Sequence, residues 1–399
     1  MGKKALAGAR IVDLTRYVSG PFCAMLLGDL GAEVIKIEKG IGDDTRRFGP
    51  FVGDHCVYYA FVNRNKKDLK VDYRKPEGMQ IIKDLIKESD AIIENFLPGT
   101  MEKMGLSREE LNKINPRINV THISGFGQSG PYKTRPAFDC VSQAMSGIMS
   151  VTGAVGSEEP NQIGTVYHDY IAGTFAALST VAALYNSKVH NDDEGQEIDI
   201  AMLDSALAYS LYATQEYILK GTVMEKHGNR DPSLAPATTF RAGDGKYVFI
   251  HCGTDAFFAK LMRHIGREDA IEDARFKTAP ARMENIEAVE EVVRKWVATK
   301  KAQEVEDELA ALTLPCAMVA DFGDVVNNPH VQARGVLQTM SYPDGTKMPT
   351  TGPVMKMSGT PCEIHSLPPD LGQHTEEILR DILKYPEEKI RELRSKDVI

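Results

Sequence analysis

The chain has 399 residues, 42% of them hydrophobic and 26% charged, with a formal net charge of −9. It is too apolar for a disordered chain and too acidic for bulk nucleic-acid binding, and its length suits roughly two domains, because single cores stop growing near ~250–300 residues. No apolar run reaches the ~20 residues of a membrane helix, and the start Met1-Gly2-Lys3-Lys4 has charge without an apolar signal stretch, so a cytoplasmic protein with no membrane partner is expected.

Residues 10–14 read as a strand, Gly20-Pro21 opens a helix through Leu26 and Leu27, and Gly31 ends it. Strands follow over 33–37 and 69–71. Pro76-Glu77-Gly78 opens an amphipathic helix with Ile81, Ile82, Leu85 and Ile86 at helical spacing, before strands over 91–93 and 118–123. This βαβα alternation predicts an α/β fold with a mainly parallel, doubly wound sheet. Further on, 169–185 reads as a helix rich in small residues, 197–200 as a strand and 203–219 as one long helix. The polar passage 227–236 reads as a linker. A strand over 247–251, charged helices over 286–299 and 302–312, a strand-like stretch at 336–340 and a last helix from Thr375 complete the chain. Residues 225–325 are taken as a second, smaller domain.

The six cysteines are scattered, with no C-x-x-C pair and no metal-site spacing, which predicts neither a metal centre nor a disulfide framework. Residues 1–75 hold fourteen Lys or Arg against nine Asp or Glu. Such a local surplus suits either an anionic ligand such as phosphates or a solvated basic face. Gly125-Phe126-Gly127-Gln128-Ser129-Gly130 matches G-x-G-x-x-G, but Pro131 and Pro136 follow and no acid stands about 20 residues on, so a nicotinamide site is disfavoured. A glycine-rich loop remains. P-loop, G-x-S-x-G, H-E-x-x-H and EF-hand patterns do not occur. Asp169 opens its helix either as an N-cap or as a carboxylate nucleophile toward an activated acyl group. Ala172 and Gly173 would then leave room for a bulky partner, nearby backbone N–H groups could hold an oxyanion, and His168 reads as a packing residue.

Four stretches together resemble the class III coenzyme A transferases, which include formyl-CoA, carnitine, bile-acid and 2-hydroxyacid CoA-transferases. They are residues 11–15 with Val18-Ser19-Gly20-Pro21; residues 30–38; Glu94-Asn95-Phe96-Leu97-Pro98-Gly99 with Lys103-Met104-Gly105-Leu106; and Asp169 heading its helix, with residues 195–202 behind it. The resemblance implies a Rossmann-like large domain formed by both chain ends (1–224 and 326–399), an α+β domain inserted at 225–325, and an interlocked homodimer. It implies an enzyme of the EC 2.8.3 type that moves CoA from an acyl-CoA to a small carboxylic acid, with no permanent cofactor and no metal. Asp169 matches the catalytic aspartate, which forms a mixed anhydride and then an enzyme–CoA thioester. Tyr17, Val18, Lys39, Arg74, Asn95, Phe96, Lys103 and Met104 match CoA-contact positions, with Asn95 and Phe96 flanking adenine or pantetheine. Phe138 stands where the racemase branch has a histidine, no tetraglycine run occurs, and Pro136 replaces a lysine of the formyl-CoA branch. Residues 227–232 look more like the carnitine and bile-acid enzymes, which leaves an acid of moderate size such as 2-hydroxyisocaproate. The alternatives are a 2-methylacyl-CoA racemase of the same fold and a non-catalytic CoA- or nucleotide-binding protein.

Overall fold

A computed structural model describes residues 3–190, 193–210 and 212–399. Met1 and Gly2, on which the signal reading drew, and Leu211, inside the predicted 203–219 helix, lie outside the described residues. Contacts divide the chain into two compact units, one of residues 1–148, 162–221 and 331–399 and one of residues 149–161 and 222–330.

In the first unit, β1 (Arg10–Asp13) leads through α1 (Ser19–Asp29) to β2 (Glu33–Glu38). Then come β3 (Lys66–Lys70), α2 (Pro76–Lys87), β4 (Ala91–Glu94) and β5 (Asn119–Ser124). A short helix α3 (Asp139–Met145) and the long α4 (Tyr167–Val189) precede β6 (Glu197–Ala201). The strands form one all-parallel sheet in the order β3-β2-β1-β4-β5-β6. Period-2 alternation sends Val12, Ile35 and Ile92 into one apolar layer with the α2 face Ile81, Ile82, Leu85 and Ile86. Their neighbours Ile11, Val34 and Ile93 enter the opposite layer with Leu27, Ala172 and Ala176. The C-terminal residues Ile378, Leu379, Ile390, Leu393 and Val398 close the first of these layers.

The structure departs from the sequence reading at several elements. The predicted 203–219 helix is two helices, α5 (Met202–Leu207) and α6 (Ala213–Lys220). The Ser210 hydroxyl donates to the Leu207 carbonyl at 2.8 Å, just beyond the end of α5. The last helix also breaks: helical residues 375–382 give way to a separate helix Glu387–Ser395, across Lys384 at φ 55° and Pro386. A hairpin pairs Leu337–Ser341 with Lys347–Thr351, whose second strand was not predicted.

The second unit holds a three-stranded antiparallel sheet of Ala237–Arg241, Tyr247–His251 and Cys316–Met318. Phe240, Val248, Ile250, Phe258, Val289, Val293 and Val305 form its core. Buried Arg282 donates to the carbonyls of Ala235, Gly253 and Phe276. Residues 227–236 are structured within this unit and are not a linker. The Arg230 guanidinium grips Glu290, the Asp231 N–H bonds the Ala237 carbonyl, and the Asp231 carboxylate accepts the N–H groups of Ser233 and Leu234.

Candidate active site

In the sheet, β1 and β4 are adjacent while their successors run outward in opposite directions. This is the topological switch point at which α/β sheets bind ligands, beyond the carboxyl ends of the strands. Two loops meet there. Asn95, just after β4, accepts the Arg16 N–H at 2.9 Å and donates to the Arg16 carbonyl at 2.7 Å. The clamp holds the loop after β1, in which Tyr17 takes a left-handed backbone (φ 66°), uncommon for a non-glycine residue. The chain then turns directly into α1. A Cβ on Gly20 would stand 2.4 Å from the Thr15 Cβ, so the turn requires glycine.

The first turn of α1 meets the second turn of α4. Gly173 makes this approach possible, because a Cβ there would stand 2.6 Å from the Ser19 carbonyl oxygen and 3.1 Å from the Phe22 ring. Ala172 is fully buried in the same layer. The small residues of α4 therefore serve helix packing, and the expectation that Ala172 and Gly173 leave space for a ligand is corrected.

Asp169 lies in the first turn of α4 but is not its cap. The carboxylate of Asp139, buried at the start of α3, accepts the His168 N–H at 2.7 Å and the Asp169 N–H at 3.3 Å. Asp139 is in turn held by Gln143, which also accepts the Ile163 N–H at 2.8 Å. His168 is buried, with Nδ1 3.0 Å from the Ser142 hydroxyl, and burial lowers its pKa. The half-buried Asp169 carboxyl faces Ser19 at the start of α1, whose hydroxyl and backbone N–H favour its ionised form. Burial, and then the charge of Asp139, push Asp169 up to about 7 despite those donors. It is thus a carboxylate of raised basicity beside N–H donors at a helix N-terminus, a set that can attack an acyl carbon and steady an oxyanion.

Asp169 opens on a cavity of about 530 Å³ lined by Tyr17, Val18, Phe48, Tyr58, Phe138 and residues 162–166, among others. Burial and the charge of Asp169 raise the Tyr58 phenol, which keeps it a proton donor. A neighbouring groove of about 550 Å³ is lined by Arg16, Lys39, Tyr73, Arg74, Phe96, Lys103 and Met104. Of the positions singled out from sequence, Lys39, Arg74, Phe96, Lys103 and Met104 therefore share one groove, and Tyr17 and Val18 share the cavity with Asp169. The Asn95 amide is occupied by the Arg16 backbone. The Lys39 ammonium stands 4.6 Å from the Tyr73 ring centre, while the exposed Arg74 makes a two-point ion pair with Asp72. The glycine-rich loop is tied to β6, its Gln128 N–H donating to Asp199 at 2.9 Å, and Gly125 abuts Ala137.

Part of the N-terminal charge surplus is internal. Lys36 and Lys66 are fully buried and pair with Asp43 and Asp13 at 3.1 and 2.8 Å, and Arg64 grips Asp29. Those cations cannot meet phosphates, whereas Arg16, Lys39, Arg74, Lys75 and Lys103 line the groove. Sequence reasoning passed over Arg16, Tyr58, Phe48 and Asp139. For Asp139, the available signal was Gln143 four residues on, a helical spacing that lets the amide hold the carboxylate.

A doubly wound sheet with a basic groove at its switch point and a carboxylate of raised basicity beside it has the make-up of an α/β enzyme that binds an anionic ligand. The sequence matches CoA-transferase family III over residues 6–375, and the chain belongs to that family. It is 36% identical to the succinyl-CoA–L-malate CoA-transferase beta subunit of Chloroflexus aurantiacus, covering 99% of this chain and 98% of that one. It is 34% identical to human succinyl-CoA:glutarate CoA-transferase, covering 99% and 90%. The crystal structure of a CAIB/BAIF family protein from Brucella suis superposes with a TM-score of 0.82 at 33% identity, covering 95% of this chain and 99% of that one. The protein is accordingly a CoA-transferase of the EC 2.8.3 type that uses CoA thioesters. None of its described helices is long and apolar enough to cross a membrane.

Proposed function

We propose that the protein exchanges CoA between an acyl-CoA and a free carboxylic acid through covalent intermediates on Asp169. The Asp169 carboxylate attacks the thioester carbonyl; the C–S bond breaks, giving a mixed anhydride and CoA thiolate. The thiolate attacks the aspartyl carbonyl, releasing the donor acid and leaving an aspartyl–CoA thioester. The acceptor carboxylate displaces CoA as a second anhydride forms, and the thiolate then takes the acceptor's acyl group and frees Asp169. One acyl activation is conserved throughout. The observation that carries this reading is the Asp169 carboxyl, lifted to about 7, set beside the N-terminus of α1 and opening on the cavity.

CoA lies along the switch-point groove, its phosphates at Lys39, Lys103 and Arg74 and its pantetheine arm at Phe96 and Met104, reaching Asp169 past Tyr17 and Val18. Asn95 acts through Arg16 rather than on the ligand. The acceptor class includes acids of moderate size such as 2-hydroxyisocaproate; relatives named for malate, citramalate and glutarate make other acids part of the same panel. Two copies associate, a reading supported by exposed Leu178, Tyr185 and Val189 on α4, and light scattering tests it.

The test of the mechanism is intact-mass spectrometry after mixing with acyl-CoAs, followed by borohydride reduction and peptide mapping. A CoA adduct on Asp169, absent in Asp169→Asn together with at least ~10³-fold loss of turnover, is expected. Turnover retained in that variant would falsify the scheme.

A further inference from the structure

We propose that the cavity beside Asp169 selects acyl groups ending in an uncharged aliphatic or aromatic body, so that the preferred acids are monocarboxylates. The inference rests on Asp169 as the nucleophile. The cavity's walls are a continuous set of rings. Tyr17 meets Phe138 edge-on at 5.4 Å and Phe48 at 6.5 Å, and Phe48 meets Tyr58 at 5.9 Å. Ile163 and Val166 extend the apolar lining. Phe48 and Phe138 are 43% and 58% exposed, so apolar surface is held open beside a reactive carboxyl.

The charges decide the class. Among the described residues lining the cavity there is no Lys, Arg or His, and the acidic side chains are Asp139 and Asp169. A dicarboxylate has one carboxyl in the thioester and brings the other into this space, where it finds two acidic side chains and no counter-cation among the described lining residues. The cations adjacent in sequence to the ring wall, Arg16 and Arg47, both pair with Asp44 and line a different groove. An uncharged body gains instead from every methylene covered by the rings. The cavity, at about 530 Å³, has the size of a small-ligand site and accommodates a branched chain or a phenyl ring.

The experiment uses the full chain with 4-methylpentanoyl-CoA and succinyl-CoA as alternative donors. The acceptors are 4-methylpentanoate, 3-phenylpropanoate, succinate and glutarate, with products separated by liquid chromatography and mass spectrometry. The kcat/KM for the two monocarboxylates should exceed that for the dicarboxylates at least tenfold. Gln162→Arg, a change at an exposed lining position, should narrow the gap at least threefold by giving the second carboxylate a partner. Dicarboxylates used as well as monocarboxylates, with an adduct forming on Asp169, would overturn the specificity while leaving the nucleophile intact. An unchanged gap in Gln162→Arg would likewise remove the charge argument. No adduct on Asp169 from any donor would instead refute the nucleophile and the specificity with it.

Discussion

The coupling of Asp139 to Asp169 makes the sharpest test of the site. Asp139→Asn removes the negative charge that, after burial, does most to lift Asp169. With Asp169 at about 7, roughly a tenth of it is ionised at pH 6 and about half at pH 7, so wild-type kcat should rise through a midpoint near neutrality. The substitution moves that midpoint down; a fall of one unit would raise the reactive fraction at pH 6 about fivefold. The new amide retains an oxygen to cap α4, but its nitrogen must face the Gln143 amide that now donates to the carboxylate. Gln143 cannot simply turn over, because its oxygen already accepts the Ile163 N–H. One mismatched buried polar contact costs about 1–3 kcal/mol. The expected outcome is a variant of lower melting temperature whose rate profile is displaced toward acid. The assay is single-turnover transfer from pH 5 to 9 at fixed ionic strength, with a melt at each pH. A folded variant whose midpoint stays in place or moves upward would refute the electrostatic coupling.

Asp169 itself should cost stability at alkaline pH. Its folded-state value lies above its ordinary 3.8, so the folded state binds the proton more tightly, and stability falls as pH rises from about 4 through about 7. Asp169→Asn should therefore be more stable than wild type at pH 8, by about 1–3 kcal/mol after allowance for partial solvent access, while inactive; equal denaturant midpoints at pH 8 would count against the burial argument. Lys39→Ala and Lys103→Ala should each raise the KM for acyl-CoA by about 3- to 30-fold with kcat nearly kept, and should leave a pantetheine thioester lacking the nucleotide unaffected. Lys66→Ala leaves Asp13 buried without its ammonium partner, a loss of about 3–5 kcal/mol by chemical denaturation. Gly173→Val forces the second turn of α4 away from the first turn of α1, which should lower both stability, by about 1–3 kcal/mol, and kcat.

The parallel sheet was legible because its strands are short apolar runs separated by helical periodicity, a pattern that is local. What escaped was set by tertiary contacts. Lys36 and Lys66 look like surface residues in any one-dimensional reading. Their burial depends on Asp43 and Asp13, which only the sheet brings within reach. The end of α5 at Leu207 and the start of α6 at Ala213 fall inside a stretch whose apolar spacing reads as one helix. The ring-lined cavity draws on residues 17, 48, 58, 138 and 162–166, segments with no shared periodicity. The smallness of Gly173 was visible, but its use was not, since a glycine that admits a ligand and one that admits a neighbouring helix look alike in sequence.

The same limit explains why Asp169, read from its own stretch, looks first like an N-cap. A capping aspartate gives its oxygens to the backbone N–H groups of its own helix, and those bonds hold its pKa down and occupy the lone pairs a nucleophile needs. Here the capping work is done by a different carboxylate, Asp139, which arrives from α3 and takes the N–H groups of His168 and Asp169. Asp169 keeps the favourable position at a helix N-terminus without spending its oxygens on that helix. Its remaining donors come from Ser19 on α1, where an acyl oxygen can compete for them. Two acids are thus divided by surroundings into one that organises and one that is left basic. The division exists only once α1, α3 and α4 have converged, so which acid caps and which is left basic could not be read from either stretch of chain alone.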